Sequence, residues 1–213
     1  MTASDADARS TVLFDWNGTV VLDADRAMRA LNRVLIDRGL APLDVVGFHR
    51  EFHLPMIDMF RRLGVDDVCV AEAEWNAEMA AESTVAREGT DALRLLYTAG
   101  VRLGVVSAAS EAAVRADMTA LELGGLWHSV DAPATDKLET LRSRRGVEKH
   151  AFYLGDTAYD MRCALDAGFT PIGVDRGYTD VDSLIAAGAS AIISSFDELP
   201  RLTRAVQATN IAV

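Results

Sequence analysis

"LFDWNGTV", residues 13–20, runs from an apolar stretch into an aspartate and then, three residues on, into Gly-Thr. The segment "TVLFD" (11–15) is short, apolar and bounded by turn-forming residues, so it reads as a buried strand ending at Asp15. Four more runs of the same kind follow: "VRLGVVS" (101–107), "AFYLGD" (151–156), "TPIGVD" (170–175) and "AIIS" (191–194). Between them lie segments of helical period. "TDALRLLYTAG" has Thr90 as its expected N-cap and Gly100 just past its end; "SEAAVRADMTALELGG" starts at Ser110 and is expected to stop at Gly124. Alternation of near-continuous apolar strands with helices predicts an α/β fold with a parallel sheet covered on both faces. Ligands of such sheets sit at the carboxyl ends of the strands. Asp15, Ser107 and Asp156 all fall at such ends.

Residues 20–88 break the alternation. They hold no convincing strand and much helical amphipathicity, as in "DRAMRALNRVLIDRGL" and "AEAEWNAEMAAEST". An all-helical insert between the first strand and the rest is expected. The opening "MTASDADARS" lacks the positive start and apolar middle of a signal peptide and reads as a frayed tail.

Of the 213 residues, 50% are hydrophobic and 25% charged, a globular balance. No apolar run approaches the roughly 20 residues that span a bilayer. A net charge of -11 argues against nonspecific binding to nucleic acid or to an anionic membrane. Cys69 and Cys163 make no disulfide framework, which points to a reducing cytoplasm. Only two lysines occur, Lys137 and Lys149, so chemistry that needs a lysine has two candidates.

"GDTAYD" sets Asp156 at a strand end and Asp160 about one helical turn later. If that strand lies beside the first, Asp15, Asp156 and Asp160 converge. Three ionised carboxylates together call for a cation, and oxygen-only ligands suit Mg²⁺. A bare strand-end aspartate can also do no more than cap the next helix. Ser107 and the backbone of Ala108 form a turn that could hold a phosphate, or an ordinary turn. Lys137, in "TDKLETLRS", stands near a helix start, where the backbone already carries partial positive charge. A lysine there suits an anion, or simply solvent.

In order, "DWNGT", "VVSAAS", Lys137 and "GDTAYD" resemble the four motifs of the haloacid dehalogenase superfamily, hydrolases that use an aspartate nucleophile. The resemblance covers nearly the whole chain. It implies a Rossmann-like catalytic core over 1–19 and 89–213. Residues 20–88 would be a helical cap like that of phosphoglycolate phosphatase-like and β-phosphoglucomutase-like members. Carried over by residue, it makes Asp15 the nucleophile that forms an aspartyl phosphate. Mg²⁺ would be held by Asp15, the backbone carbonyl of Asn17 and Asp156, with Asp160 close by, either as a direct ligand or one step behind. Ser107, Ala108 and Lys137 would hold the phosphoryl oxygens, and Thr19 would orient Asp15. The implied partner is a small phosphorylated metabolite. Residues 20–88 contain no lysine, which removes the Schiff-base chemistry of phosphonatase-like members. The retained "GD…D" pattern separates the chain from metal-free dehalogenases.

Asn17 departs from the pattern. Phosphatases of the superfamily usually carry aspartate there, protonating the leaving group and then activating water, and an amide does neither. Losing a general acid–base costs roughly 10² to 10⁴ in rate. Three readings follow: an acid–base supplied by the cap, a substrate with a good leaving group, or a slow or non-catalytic phosphate binder. Phosphotransferase or mutase activity is a further alternative. In "FHREFHLP", His49 and His53 share a face if helical, with Arg50 between them, and these three are the cap's candidates for substrate contact.

Overall fold

A computed structural model describes residues 10–53, 56–81 and 84–203. The chain divides after Leu22 and before Val85 into a sheet-bearing unit and a helical unit, Asp23–Thr84. The expected insert, 20–88, is thus longer than the helical unit by a few residues at each end. The reason is backbone pairing. Val21 bridges Ala86 in antiparallel fashion, Leu22 N–H donates to Val85 O (2.8 Å), and Arg87 N–H donates to Val20 O (2.9 Å). The two linkers are zipped together on the sheet side.

Six strands make one sheet: β1 (Ser10–Phe14), β2 (Arg102–Val106), β3 (Ser129–Asp131), β4 (His150–Gly155), β5 (Thr170–Val174) and β6 (Ala191–Ile193). Every pairing is parallel and the order is β3-β2-β1-β4-β5-β6. This is the Rossmann-like order, in which successive strands run outward on either side of β1. The change of direction falls between β1 and β4, so the crevice at their carboxyl ends is the expected ligand position. Side chains alternate across the sheet. Val12, Phe14, Phe152 and Leu154 enter one core cluster, whereas Leu13, Ala151 and Tyr153 enter the other.

Three local expectations are corrected. Ser10 belongs to β1, not to a tail: it is buried and pairs with His150. The remaining tail residues lie outside those described. Gly89, at φ +83°, is the N-cap of helix Thr90–Thr98, and Thr90 is its first residue. The Ser110-capped helix ends at Ala120, short of Gly124. Glu122 takes the left-handed conformation (φ +58°) that closes it, with Leu123 N–H returning to Met118 O (2.8 Å) and Glu122 N–H to Thr119 O (3.2 Å). Strand β3 had no apolar run to announce it; it is a three-residue edge strand, half-buried throughout.

The helical unit comprises α1 (Ala24–Asp37), α2 (Val45–Glu51), α3 (Met56–Arg62) and α4 (Val68–Ala81). Helix α1 buries Ala27, Ala30, Leu31, Val34 and Leu35. The Trp75 indole of α4 donates to Ala27 O of α1 (3.2 Å), and Arg38 bonds Asp67 and Glu74 at 2.7 Å. In the sheet unit the helices are α5 (Thr90–Thr98), α6 (Glu111–Ala120), α7 (Lys137–Arg144), α8 (Ala158–Asp166) and α9 (Val181–Ala186). No helix of the described residues is long and apolar enough to cross a membrane.

Candidate active site

Asp15 follows β1 and continues its register, donating its N–H to Leu154 O (2.8 Å). The chain then turns sharply. Trp16 O accepts the N–H groups of Thr19 (3.2 Å), Val20 (2.8 Å) and Val21 (3.0 Å). Gly18 sits at φ +72°, and a Cβ there would lie 2.8 Å from the Tyr178 ring and closer still to the Asp156 carboxylate. Only glycine fits the turn. Trp16 is fully buried, its indole N–H bonded to Asp117 (2.9 Å), so this side chain anchors the loop in the core while its neighbours serve the site.

Asp156 follows β4 and is fully buried. Its oxygens accept the Thr19 hydroxyl (3.2 Å) and the Tyr178 N–H (2.7 Å). Thr19 was expected to orient Asp15; its hydroxyl bonds Asp156 instead. Asp160 lies in the first turn of α8. One of its oxygens closes a capping box with Thr157, accepting both the N–H (3.1 Å) and the hydroxyl (2.5 Å) of that residue. Its other oxygen accepts Lys137 (2.6 Å) and the Tyr153 hydroxyl (3.3 Å). Lys137, first residue of α7, is buried, and its ammonium bridges Asp160 and Asp15 (3.2 Å). It is not a solvated surface lysine.

Asp15, Asp156 and Asp160 thus bring one carboxylate oxygen each within 4.8 Å of one another. Among the described residues, the Lys137 ammonium is the cation set between them. Burial pushes the Asp15 carboxyl up to about 7, against the pull of Lys137 and with repulsion from Asp160 added. Burial also raises Asp156 well above its ordinary value, reinforced by Asp15 and Asp160. Burial opposes the charge on Lys137, but the two aspartates outweigh it, so the lysine is held well above its usual range and stays protonated. Buried Tyr153 is raised as well and remains a neutral donor. An all-oxygen, charge-deficient cluster of this kind fits a hard divalent cation such as Mg²⁺. The hydrogen bonds distinguish its members: Asp160 accepts two of these donors on each oxygen, whereas Asp156 accepts one on each.

Ser107 follows β2 and is buried. Its hydroxyl accepts Ala109 N–H (3.2 Å), and its backbone bonds Asp131 and Ala134. Register sets Ser107 and Asp156 one step beyond Asp15 on the strands either side of it. Ala108 is exposed and Asn17 half-buried. In the helical unit, α2 stops at Glu51 and Phe52 is extended (φ -68°, ψ 121°), so His49 and His53 do not share a helix face. The His53 Nδ1 lies against Glu51 O (2.9 Å) and the Arg62 guanidinium (2.5 Å), and Arg50 pairs with Glu51 (2.9 Å).

Sequence reasoning missed Tyr153, Thr157 and Tyr178. Thr157 had a usable signal, the T-x-x-D capping pattern. The others act through fold contacts that no local pattern announces.

The model of the haloacid dehalogenase-like hydrolases matches residues 12–174. A phosphoglycolate phosphatase from Rhodospirillum rubrum is 27% identical, over 88% of each chain. Among solved structures, a haloacid dehalogenase-like family hydrolase from Streptococcus pneumoniae superposes with a TM-score of 0.76 at 17% identity, covering 91% of this chain and 98% of that one. A mutant of CbbY from Rhodobacter sphaeroides, in complex with xylulose-1,5-bisphosphate, gives a TM-score of 0.63 at 22% identity, covering 89% and 95%. These structural likenesses concern the fold.

Proposed function

The chain belongs to the haloacid dehalogenase-like hydrolase family, and on that footing we propose that it is a Mg²⁺-dependent phosphatase of a small phosphorylated metabolite. The observation that carries the reading is the buried Lys137 ammonium, held between Asp15 and Asp160 at 3.2 and 2.6 Å beside the Asp156 carboxylate. A cation in that position favours the ionised form of Asp15 against the opposing effect of burial and meets the phosphoryl oxygens as charge develops on them.

An Asp15 oxygen attacks phosphorus, the ester P–O bond breaks, and the leaving alkoxide takes a proton from solvent water. Water then attacks the phosphorus of the aspartyl phosphate, which releases inorganic phosphate and restores the Asp15 carboxylate. Mg²⁺ held by Asp15, Asp156 and the Asn17 backbone carbonyl would neutralise charge on the phosphoryl group. Asp160 serves best one step back, orienting Lys137 through one oxygen while Thr157 fixes the other. Ser107 and the Ala108 backbone complete the phosphoryl cradle. His49, Arg50 and His53 are candidates for substrate contact.

Asn17 can neither give nor take the proton of either step. This favours substrates with good leaving groups, and it is the one feature that supports a second reading, a catalytically weak phosphate binder. The test is hydrolysis of aryl phosphates and of a phosphometabolite panel headed by 2-phosphoglycolate, with and without Mg²⁺. Mg²⁺-dependent turnover that Asp15→Ala abolishes is expected, together with a Mg²⁺-dependent rise in Tm. Turnover that survives excess chelator, or survives Asp15→Ala, would overturn the mechanism.

A further inference from the structure

We propose that Arg87 is a positioning residue of this site, setting the Asp156 carboxylate by gripping the two chain segments whose groups hold it. The inference rests on the phosphatase reading for its kinetic consequences, although its structural basis stands apart from them.

Arg87 lies in the second linker, where the chain re-enters the sheet unit, and is 1% exposed. Its guanidinium has five N–H donors and makes five bonds. Nε donates to Thr19 O (2.8 Å) and Nη2 to Gly18 O (2.8 Å) and Asp175 O (2.7 Å). Nη1 donates to Ser194 O and to the Asp175 carboxylate, both at 3.2 Å. Four of the five acceptors are backbone carbonyls beyond the ends of β1, β5 and β6. Burying a guanidinium with one carboxylate partner is costly. An apolar residue in its place would leave four carbonyls unmet, so the position demands a rigid five-donor fork, which lysine lacks.

The consequence runs through the peptide planes. A planar trans peptide points its C=O and the next N–H in opposite directions. Fixing Gly18 O and Thr19 O toward Arg87 therefore turns the Thr19 and Val20 N–H groups the other way, where Trp16 O accepts both. The turn is gripped from two sides, and the Thr19 hydroxyl is thereby delivered to Asp156. On the second segment, Asp175 O is fixed by Arg87. Three residues later the Tyr178 N–H donates to the other Asp156 oxygen. Both of these donors to Asp156 thus hang from segments that one side chain holds.

The experiment uses full-length Arg87→Lys and Arg87→Met, with Leu184→Ala as a destabilised control whose buried side chain takes no part in these bonds. Three quantities are read: steady-state kinetics on an aryl phosphate, Mg²⁺ affinity by calorimetry, and amide exchange of residues 15–21 and 175–178. Partners that orient metal ligands typically govern affinity or activity by about 10- to 100-fold. Arg87→Lys should lower kcat and weaken Mg²⁺ binding by about that range, move KM little, and speed exchange in both segments; Arg87→Met should do the same more severely. Leu184→Ala should lower Tm while leaving kcat and Mg²⁺ affinity near wild type. Wild-type kcat and Mg²⁺ affinity in Arg87→Lys, or equal losses in Leu184→Ala, would overturn the assignment. A wild-type protein that neither turns over nor binds Mg²⁺ would instead overturn the phosphatase reading. The exchange comparison then decides Arg87 alone, and unchanged protection of the two segments in Arg87→Lys would refute it.

Discussion

Gly177→Ala is expected to disable the site while the protein stays folded. Gly177 is buried in the loop after β5, and a Cβ there would lie 2.7 Å from Asp156 Cγ and nearer still to its Cβ and Oδ2. Carbon atoms pack at about 3.5–4.0 Å, so the carboxylate or the loop must yield by roughly 1 Å. A misplacement of about 1 Å at a reacting centre costs on the order of 10²-fold in rate, which is about 2.7 kcal/mol of barrier. Overpacking adds about 1–3 kcal/mol of destabilisation. In a chain of this size that lowers Tm by roughly 2–4 °C per kcal/mol. The assay is kcat/KM on an aryl phosphate, well below the Tm of the variant, together with Tm measured with and without saturating Mg²⁺. Wild type should gain about 2.7 kcal/mol from Mg²⁺ at a hundred times its Kd, and the variant should lose most of that gain. Gly124→Ala is the control, since a Cβ there meets nothing within 4 Å. Gly177→Ala with kcat/KM within about threefold of wild type and a full Mg²⁺ response would refute the reasoning, because Asp156 would then tolerate a shift that the site is argued to forbid.

Asn17→Asp should raise turnover by up to roughly 10²–10⁴-fold, most for poor leaving groups; a flat response across aryl phosphates of graded leaving-group pKa would show that proton transfer is not limiting. Burial and neighbouring Lys149 hold the His150 imidazole below its ordinary 6.5, so its contribution to stability is present above that value and is lost as pH falls through it. Asp15, raised to about 7 in the metal-free protein, acts with the opposite sign, its contribution being lost as pH rises toward that value. Denaturation of His150→Gln beside wild type, across about pH 5.5 to 8, isolates the histidine: the variant should lose less stability on acidification. An identical pH response in the two proteins would remove His150 from the account.

The layout of the core is written along the chain. Apolar runs of period and length proper to buried strands are local signals, and five of the six strands announce themselves that way. Their ends carry Asp15, Ser107 and Asp156 because a parallel sheet sets its chemistry at its carboxyl edge. The carboxylate cluster was legible too, given one condition that no local pattern supplies, namely that β1 and β4 are neighbours. Strand β3 was not legible, since an edge strand of three half-buried residues has no apolar run to show. Nor was the loss of the shared face of His49 and His53, which depends on where α2 ends.

The partner that each polar group takes is a matter of packing. Thr19 bonds a residue 137 positions away rather than its near neighbour Asp15. Lys137 could have been a solvated lysine by every local measure, and it is buried because α7 packs where Asp15 and Asp160 meet it. Arg87, in the plain stretch "VAREG", reaches acceptors separated from it by 68 to 107 residues. Hydrophobic periodicity can be read from the chain because burial acts on each element separately. The pairing of a hydroxyl, an ammonium or a guanidinium depends on which elements the folded protein brings together, and that information exists only in three dimensions.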